Sequence, residues 1–191
     1  IVYFFMINLL IGFAGVAVSL IALSVLYFSR NTIEKVNKKK SYELDKQTGF
    51  LILDRVLYTS THYPANYGFI PRTYGDDKDP LDVLVLCSEP IEPLTLVKCF
   101  PIGVMKMLDN GMGDEKIIAI PFDDPTYNKY NDIKDLPQHI FDEIKHFFNV
   151  YKDLEDKETQ VDEFGGPQEA IRIITECIGN YNMKFGSRST Y

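Results

Sequence analysis

The pattern of hydrophobic and polar positions divides the chain into three textures. Residues 1 to 28 run from Ile1 to Phe28 without a charge, with Asn8, Ser19 and Ser24 as the polar interruptions. This exceeds the ~20 residues a bilayer-crossing helix needs. An apolar helix over residues 1–29 is therefore expected, either as a membrane anchor or as an artefactual head. Arg30, Lys35, Lys38, Lys39 and Lys40 follow in a basic linker over 30–41, and the positive-inside bias would leave the body of the protein in the cytoplasm. No basic stretch precedes the apolar run, which argues against a secretory signal.

From Tyr42 onward the apolar runs are short and bounded by Gly, Pro, Asp or Asn, a pattern that predicts strands over 50–53, 81–86, 96–107 and 116–120. Beyond Pro137 the period changes. Ile140, Phe141, Ile144, Phe147, Phe148 and Tyr151 recur at three- and four-residue steps, as one face of a helix does. A second helix is predicted from about Pro167, with Ala170, Ile171, Ile174, Cys177, Ile178 and Tyr181 on its buried stripe. Strands first and helices last give an α+β expectation: a small closed OB-like β-barrel with two C-terminal helices packed outside, over residues 42–185, and a tail over 186–191.

Composition narrows the function classes. A formal net charge of −7 speaks against a general nucleic-acid binder, which needs a basic face, and the chain has no basic groove with interleaved stacking aromatics. Cys87, Cys99 and Cys177 stand far apart among apolar neighbours and read as buried thiols rather than disulfides or zinc ligands. His62, His139 and His146 form no metal-ligand spacing, and no serine sits in a nucleophile elbow.

The densest chemical signal is Tyr74-Gly75-Asp76-Asp77-Lys78-Asp79-Pro80-Leu81-Asp82, a loop feeding an apolar strand. Asp77, Asp79 and Asp82 side by side repel one another unless cations lie between them, and hard carboxylate oxygens suit Mg²⁺ or Mn²⁺. A solvated acidic turn is the plainer reading. A second carboxylate group, Asp109 and Asp114 around a Gly-rich turn between strands, shifts the balance toward a metal site. An EF-hand loop starting at Asp77 fails, because Asp82 would occupy the glycine position and Ser88 the bidentate glutamate position.

In this sequence Asp77-Lys78-Asp79-Pro80-Leu81-Asp82 reproduces the Asp-x-Asp-Pro-x-Asp signature, and from about Tyr42 to Tyr181 the chain resembles the family I soluble inorganic pyrophosphatases. Tyr42-Glu43-Leu44-Asp45, Asp54-Arg55, Tyr63 through Phe69, the hairpin from Asp109 to Lys116, and Phe147-Phe148 followed by Tyr151 through Glu155 extend the resemblance in order. It implies hydrolysis of pyrophosphate to two orthophosphates, with several Mg²⁺ per site (Mn²⁺ as an alternative) and in-line attack by a water bridging two metals. Asp77, Asp82, Asp109 and Asp114 match the metal ligands and Asp79 the base that deprotonates that water. Arg55, Tyr67, Lys116, Tyr151 and Lys152 match the positions that bind the phosphates, while Tyr63, Asn66 and Glu43 are supports. A homo-oligomer, commonly a hexamer in bacterial relatives, is implied as well.

Each phosphate ligand also has a plainer reading: Arg55 as a partner of Asp54 or Glu43, Lys116 as a strand-edge charge, Tyr151 as part of the apolar helical stripe. The chain departs from the family at Ser41, where a phosphate-binding lysine is usual, and at Ile33, where an early glutamate is usual. Lys40 would point to the opposite face of an extended strand. These losses leave a second class open, a catalytically weakened metal- or phosphate-binding module. The retained Asp79 favours the enzyme, since binding alone needs no base.

Overall fold

The computed structural model describes residues 24–26, 39–45 and 47–186. Its main sheet is built on β6 (Leu96–Asp109), which pairs antiparallel along its length with β7 (Met112–Pro121) through a two-residue turn at Asn110-Gly111. Both turn residues have positive φ, 51° and 80°, the geometry that tight hairpins require and that Asn-Gly tolerates. β5 (Asp82–Val85) adds to β7 in parallel, and β4 (Asn66–Phe69) adds antiparallel to β5. The other edge of β6 carries β1 (Ser24–Leu26) against Leu96–Lys98 and β8 (Thr159–Gly165) against Val104–Asp109. β2 (Lys40–Leu44) and β3 (Leu51–Val56) form a separate antiparallel hairpin.

Side chains alternate across the sheet, and both faces are buried. Leu84, Ile118, Ile120, Met105 and Met107 meet α1 (Gln138–Val150) through Phe141, Ile144, Phe147 and Phe148. Val83, Val85, Ile117, Ala119 and Val104 meet α2 (Pro167–Phe185) through Ala170, Ile173, Ile174 and Cys177. Proline opens each helix, as N-cap at Pro137 and at the first helical position at Pro167, where no backbone donor is lost.

The α+β class, the four strand regions and both helices agree with the sequence. The closed barrel does not: among the described residues the main sheet is open and the β2–β3 hairpin is a second sheet, so α1 and α2 cover two faces of a layer rather than the outside of a barrel. The predicted apolar helix over 1–29 lies mostly outside the described residues, and where they touch it, Ser24–Leu26 is a strand. No helix among the described residues is long and apolar enough to cross a membrane. On α2 the buried stripe is rotated by part of a turn, with Ile173 inside and Ile171 exposed. Cys99 and Cys177 are buried as expected, whereas Cys87 is only partly so. Burial pushes the Cys99 thiol up to about 12 and the Cys177 thiol up to about 11, which leaves both unreactive at neutral pH.

Gly103 lets β6 pack closely against Ile133 and Gly165. A Cβ there would overlap Ile133 Cγ2 and meet the Gly165 carbonyl oxygen at 2.8 Å. Gly103→Ala is expected to cost ~1–3 kcal/mol by overpacking, read as a lowered urea midpoint with an unchanged slope; an unshifted midpoint would contradict this packing.

Candidate active site

Strand register assembles the centre of the site. In the parallel ladder Asp82 on β5 lies beside Lys116 on β7. Asp114, two residues earlier on β7, shares the face of Lys116. Tyr67 on β4 pairs with Leu84, two residues beyond Asp82. The four side chains therefore converge at one end of the α1-facing core. Lys116 Nζ donates to Tyr67 Oη at 2.9 Å, to Asp82 Oδ2 at 3.0 Å and to both oxygens of Asp114 at 2.9 Å. Tyr67 Oη in turn donates to Asp82 Oδ2. The Phe148 ring lies under the ammonium, 5.5 Å from Nζ to its centroid.

Lys116 is 2% exposed, so this is a buried charge within a polar cage. Burial works against its protonation, yet the surrounding Tyr67, Asp82 and Asp114 outweigh it and hold its pKa well above the usual 10.5. The ammonium therefore stays charged at neutral pH, a donor for anionic oxygen.

A second cation follows from the end of α1. Tyr151 closes the helix, stacked on Phe147 at 5.2 Å and edge-on to Phe148 at 5.4 Å. Burial raises its phenol pKa while Lys116 opposes that rise, which places the two groups in each other's field. The next residue, Lys152, is buried and reaches Asp109 Oδ2 at 2.5 Å, at the end of β6. Arg55 on β3 forms the third centre, with Nε on Asp54 at 2.8 Å and Nη1 on Glu155 at 2.7 Å. Burial lowers its tendency to hold a proton, but the two carboxylates more than compensate and keep its pKa above the ordinary arginine value.

The Asp77–Asp82 loop borders this centre. Asp77 Oδ1 accepts from the Asp79 amide at 3.0 Å, and the left-handed backbone of Lys78, φ 70°, tightens the turn. Asp77, Asp82, Asp114 and Glu115 line one narrow cleft. Desolvation there, reinforced by Asp114, Asp79 and Asp82, raises the Asp77 pKa. Asp79 is exposed on the loop. Tyr63 is buried against Tyr67 at 5.4 Å and Phe147 at 4.7 Å, so it supports the Tyr67 ring. Asn66 donates to the Val85 and Glu89 carbonyls and accepts from the Ile91 amide, pinning the strand end that carries Tyr67. Glu43 is exposed on β2 and has no hydrogen bond to the cluster among the described residues.

The chain is 49% identical over 150 residues to soluble inorganic pyrophosphatase 2 of Chlamydomonas reinhardtii, spanning 78% of each protein. It is 44% identical over 144 residues to the inorganic pyrophosphatase of Geobacillus stearothermophilus, spanning 75% of this chain and 87% of that one. The solved structure of the Helicobacter pylori inorganic pyrophosphatase superposes with a TM-score of 0.74 at 42% identity, covering 84% of this chain and 91% of that one. A family model described as inorganic pyrophosphatase matches residues 31–182. The chain belongs to the inorganic pyrophosphatase family.

Within the pyrophosphatase frame, the departure at Ser41 is a buried residue, 1% exposed, paired with Arg55 across the hairpin. Lys40 pairs with Val56 one step away, and the alternation of a strand sends the two side chains to opposite faces. Among the described residues no group of three or more carboxylate, imidazole or thiol side chains is drawn into a finished metal cage. The donor set still suits a hard divalent cation. Asp76, Asp77, Asp82 and Asp114 share one cleft, carboxylate repulsion is felt at Asp77, and every donor is oxygen. Sequence reasoning missed Glu155 and Glu115. Glu155 stood within the matched Tyr151–Glu155 segment, but its partner lies 100 residues away in sequence.

Removing the central ammonium leaves Asp82 and Asp114 facing each other. Lys116→Met is expected to destabilise the fold by about 3 kcal/mol, measured by urea unfolding. Because the folded-state pKa is raised, that contribution is complete below the unfolded value of 10.5 and is lost as pH rises through the folded value. A difference between variant and wild type that fades already near neutral pH would contradict the assignment.

Proposed function

We propose that this protein is an inorganic diphosphatase that hydrolyses pyrophosphate to two orthophosphates. The observation that carries the reading is the buried Lys116 bound to Tyr67, Asp82 and Asp114 beside the Asp77–Asp82 loop, in a chain of the pyrophosphatase family. Asp77, Asp82, Asp109 and Asp114 would hold divalent cations, Mg²⁺ in the first instance with Mn²⁺ as an alternative. Bound there, such cations supply positive charge to the diphosphate oxygens and make a nearby water more acidic.

The chain's own residues do the rest. Asp79, on the exposed side of the loop, accepts the proton of the attacking water. Arg55, Lys116 and Lys152 bind phosphate oxygens and offset the charge that builds on the leaving phosphate as the P–O bond breaks. Arginine offers a planar fork, whereas the two lysines act as point charges. Tyr67 and Tyr151 contribute neutral O–H donors whose rings are held by the α1 core. Glu43, Tyr63 and Asn66 keep supporting roles. Residues 42–185 form the catalytic unit in this reading, with 1–29 as head, 30–41 as linker and 186–191 as tail. A homo-oligomer, hexameric by resemblance, and a cytoplasmic catalytic domain complete it.

The test is phosphate release from pyrophosphate by the purified protein with Mg²⁺, with chelator, and with Asp79→Asn. Metal-dependent release that falls by ~10²–10⁴-fold in Asp79→Asn is expected for a general base. Folded protein that releases no phosphate would return the weakened binding module.

A further inference from the structure

Glu155 is a carboxylate that no step of the proposed reaction uses. Its side chain is 9% exposed. Oε2 accepts from Arg55 Nη1 at 2.7 Å and lies 3.7 Å from Lys157 Nζ. Oε1 is buried with no hydrogen-bond partner among the described residues. A carboxylate buried only to neutralise an arginine is expected to use both oxygens, by a two-point grip on the guanidinium fork. Here the grip is at a single point. Asp54 holds Nε at 2.8 Å and Glu155 holds Nη1, so Nη2 has no protein partner among the described residues.

The backbone explains why such a tether is needed. β2 and β3 form a sheet of their own, so among the described residues no ladder fixes Arg55 relative to the main sheet. Glu155 closes a short 3₁₀ turn, Asp153–Glu155, directly after Lys152, with its amide on the Lys152 carbonyl at 2.8 Å and left-handed Asp156 next. The turn that presents Tyr151 and Lys152 therefore also reaches across to β3.

We infer that Glu155 is a positioning residue for Arg55, anchoring one edge of the guanidinium so that Nη2 is presented to a phosphate oxygen of the substrate. This rests on the diphosphatase reading above. Glu155→Gln keeps an acceptor oxygen for Nη1, whereas Glu155→Ala removes it.

The experiment compares kcat/KM for pyrophosphate in wild type, Glu155→Ala, Glu155→Gln, Arg55→Ala and the Arg55→Ala/Glu155→Ala double variant, with melting temperatures alongside. Glu155→Ala is expected to lose about tenfold to a hundredfold, the scale of a misplaced binding group, and Glu155→Gln to recover most of it. In the Arg55→Ala background the second substitution should cost nothing further, since its target is gone. An equal loss in both backgrounds would make Glu155 a structural residue and overturn the inference, as would a Glu155→Ala enzyme of unchanged activity. Should Glu155→Ala fail to fold, Glu155→Asp, charged but one methylene shorter, takes its place with the same expected losses. Wild type that releases no phosphate sinks the diphosphatase reading itself, and the positioning role with it, whereas an active wild type with any of the contrary patterns sinks the positioning role alone.

Discussion

The site is organised around one buried ammonium. Taking a lysine out of water costs several kcal/mol unless its donors are met by good acceptors, and Lys116, 2% exposed, meets this with Tyr67, Asp82 and Asp114. The same contacts hold two carboxylates at one end of the sheet, where their own repulsion would otherwise spread them. The α1 core is shaped to this end as well. Phe148 lies beneath the ammonium, and Tyr63, Phe147 and Tyr151 pack around Tyr67 and Phe148. Hydrophobic burial and electrostatics are thus coupled. The aromatic floor lowers the local polarity, which strengthens the ion pairs above it.

Register turns this local bargain between charges into a site. The parallel pairing of β5 and β7 places Asp82 at Lys116, and the even-numbered residues that follow on β7, Ile118 and Ile120, continue the same face into the core. A one-residue slip would turn Asp82 and Leu84 to the α2 side and Leu81 and Val83 to the α1 side, so the apolar ladder fixes the chemistry at its end. The helix α1 does the same for the second cation, since the buried stripe that sets its rotation also sets where Tyr151 and Lys152 emerge. The residues proposed to bind phosphate thereby come from a strand, a helix end and a separate hairpin.

Much of this was legible in the sequence, and what was not has physical causes. The Asp77–Asp82 run and the Asp109–Asp114 hairpin carry their chemistry in composition and spacing, and the α1 stripe has a clean helical period. β4 is four residues long and contains Gly68, while β8 has four polar residues among seven; pairing with β5 and β6, rather than propensity, makes them strands. The open sheet in place of a barrel follows from long-range pairing that no local pattern encodes. Lys116 could be read as a strand-edge charge until its neighbours were known. Arg55 does pair with Asp54, as its plainer reading held, and the same guanidinium also reaches Glu155. The exchange of Ile171 for Ile173 on α2 reflects how little a helix must rotate to change which of two isoleucines on opposite flanks of its buried stripe is covered.

Under the proposed function, Asp82 and Asp114, the carboxylates gathered by Lys116, are part of a divalent-cation site. Titration of the protein with Mn²⁺, followed by electron paramagnetic resonance of the free ion with Mg²⁺ as competitor, addresses it without relying on turnover. The account predicts Mg²⁺-competed Mn²⁺ binding by the wild type that is lost in the folded Asp82→Asn/Asp114→Asn double variant. Binding of equal strength in that variant would contradict it.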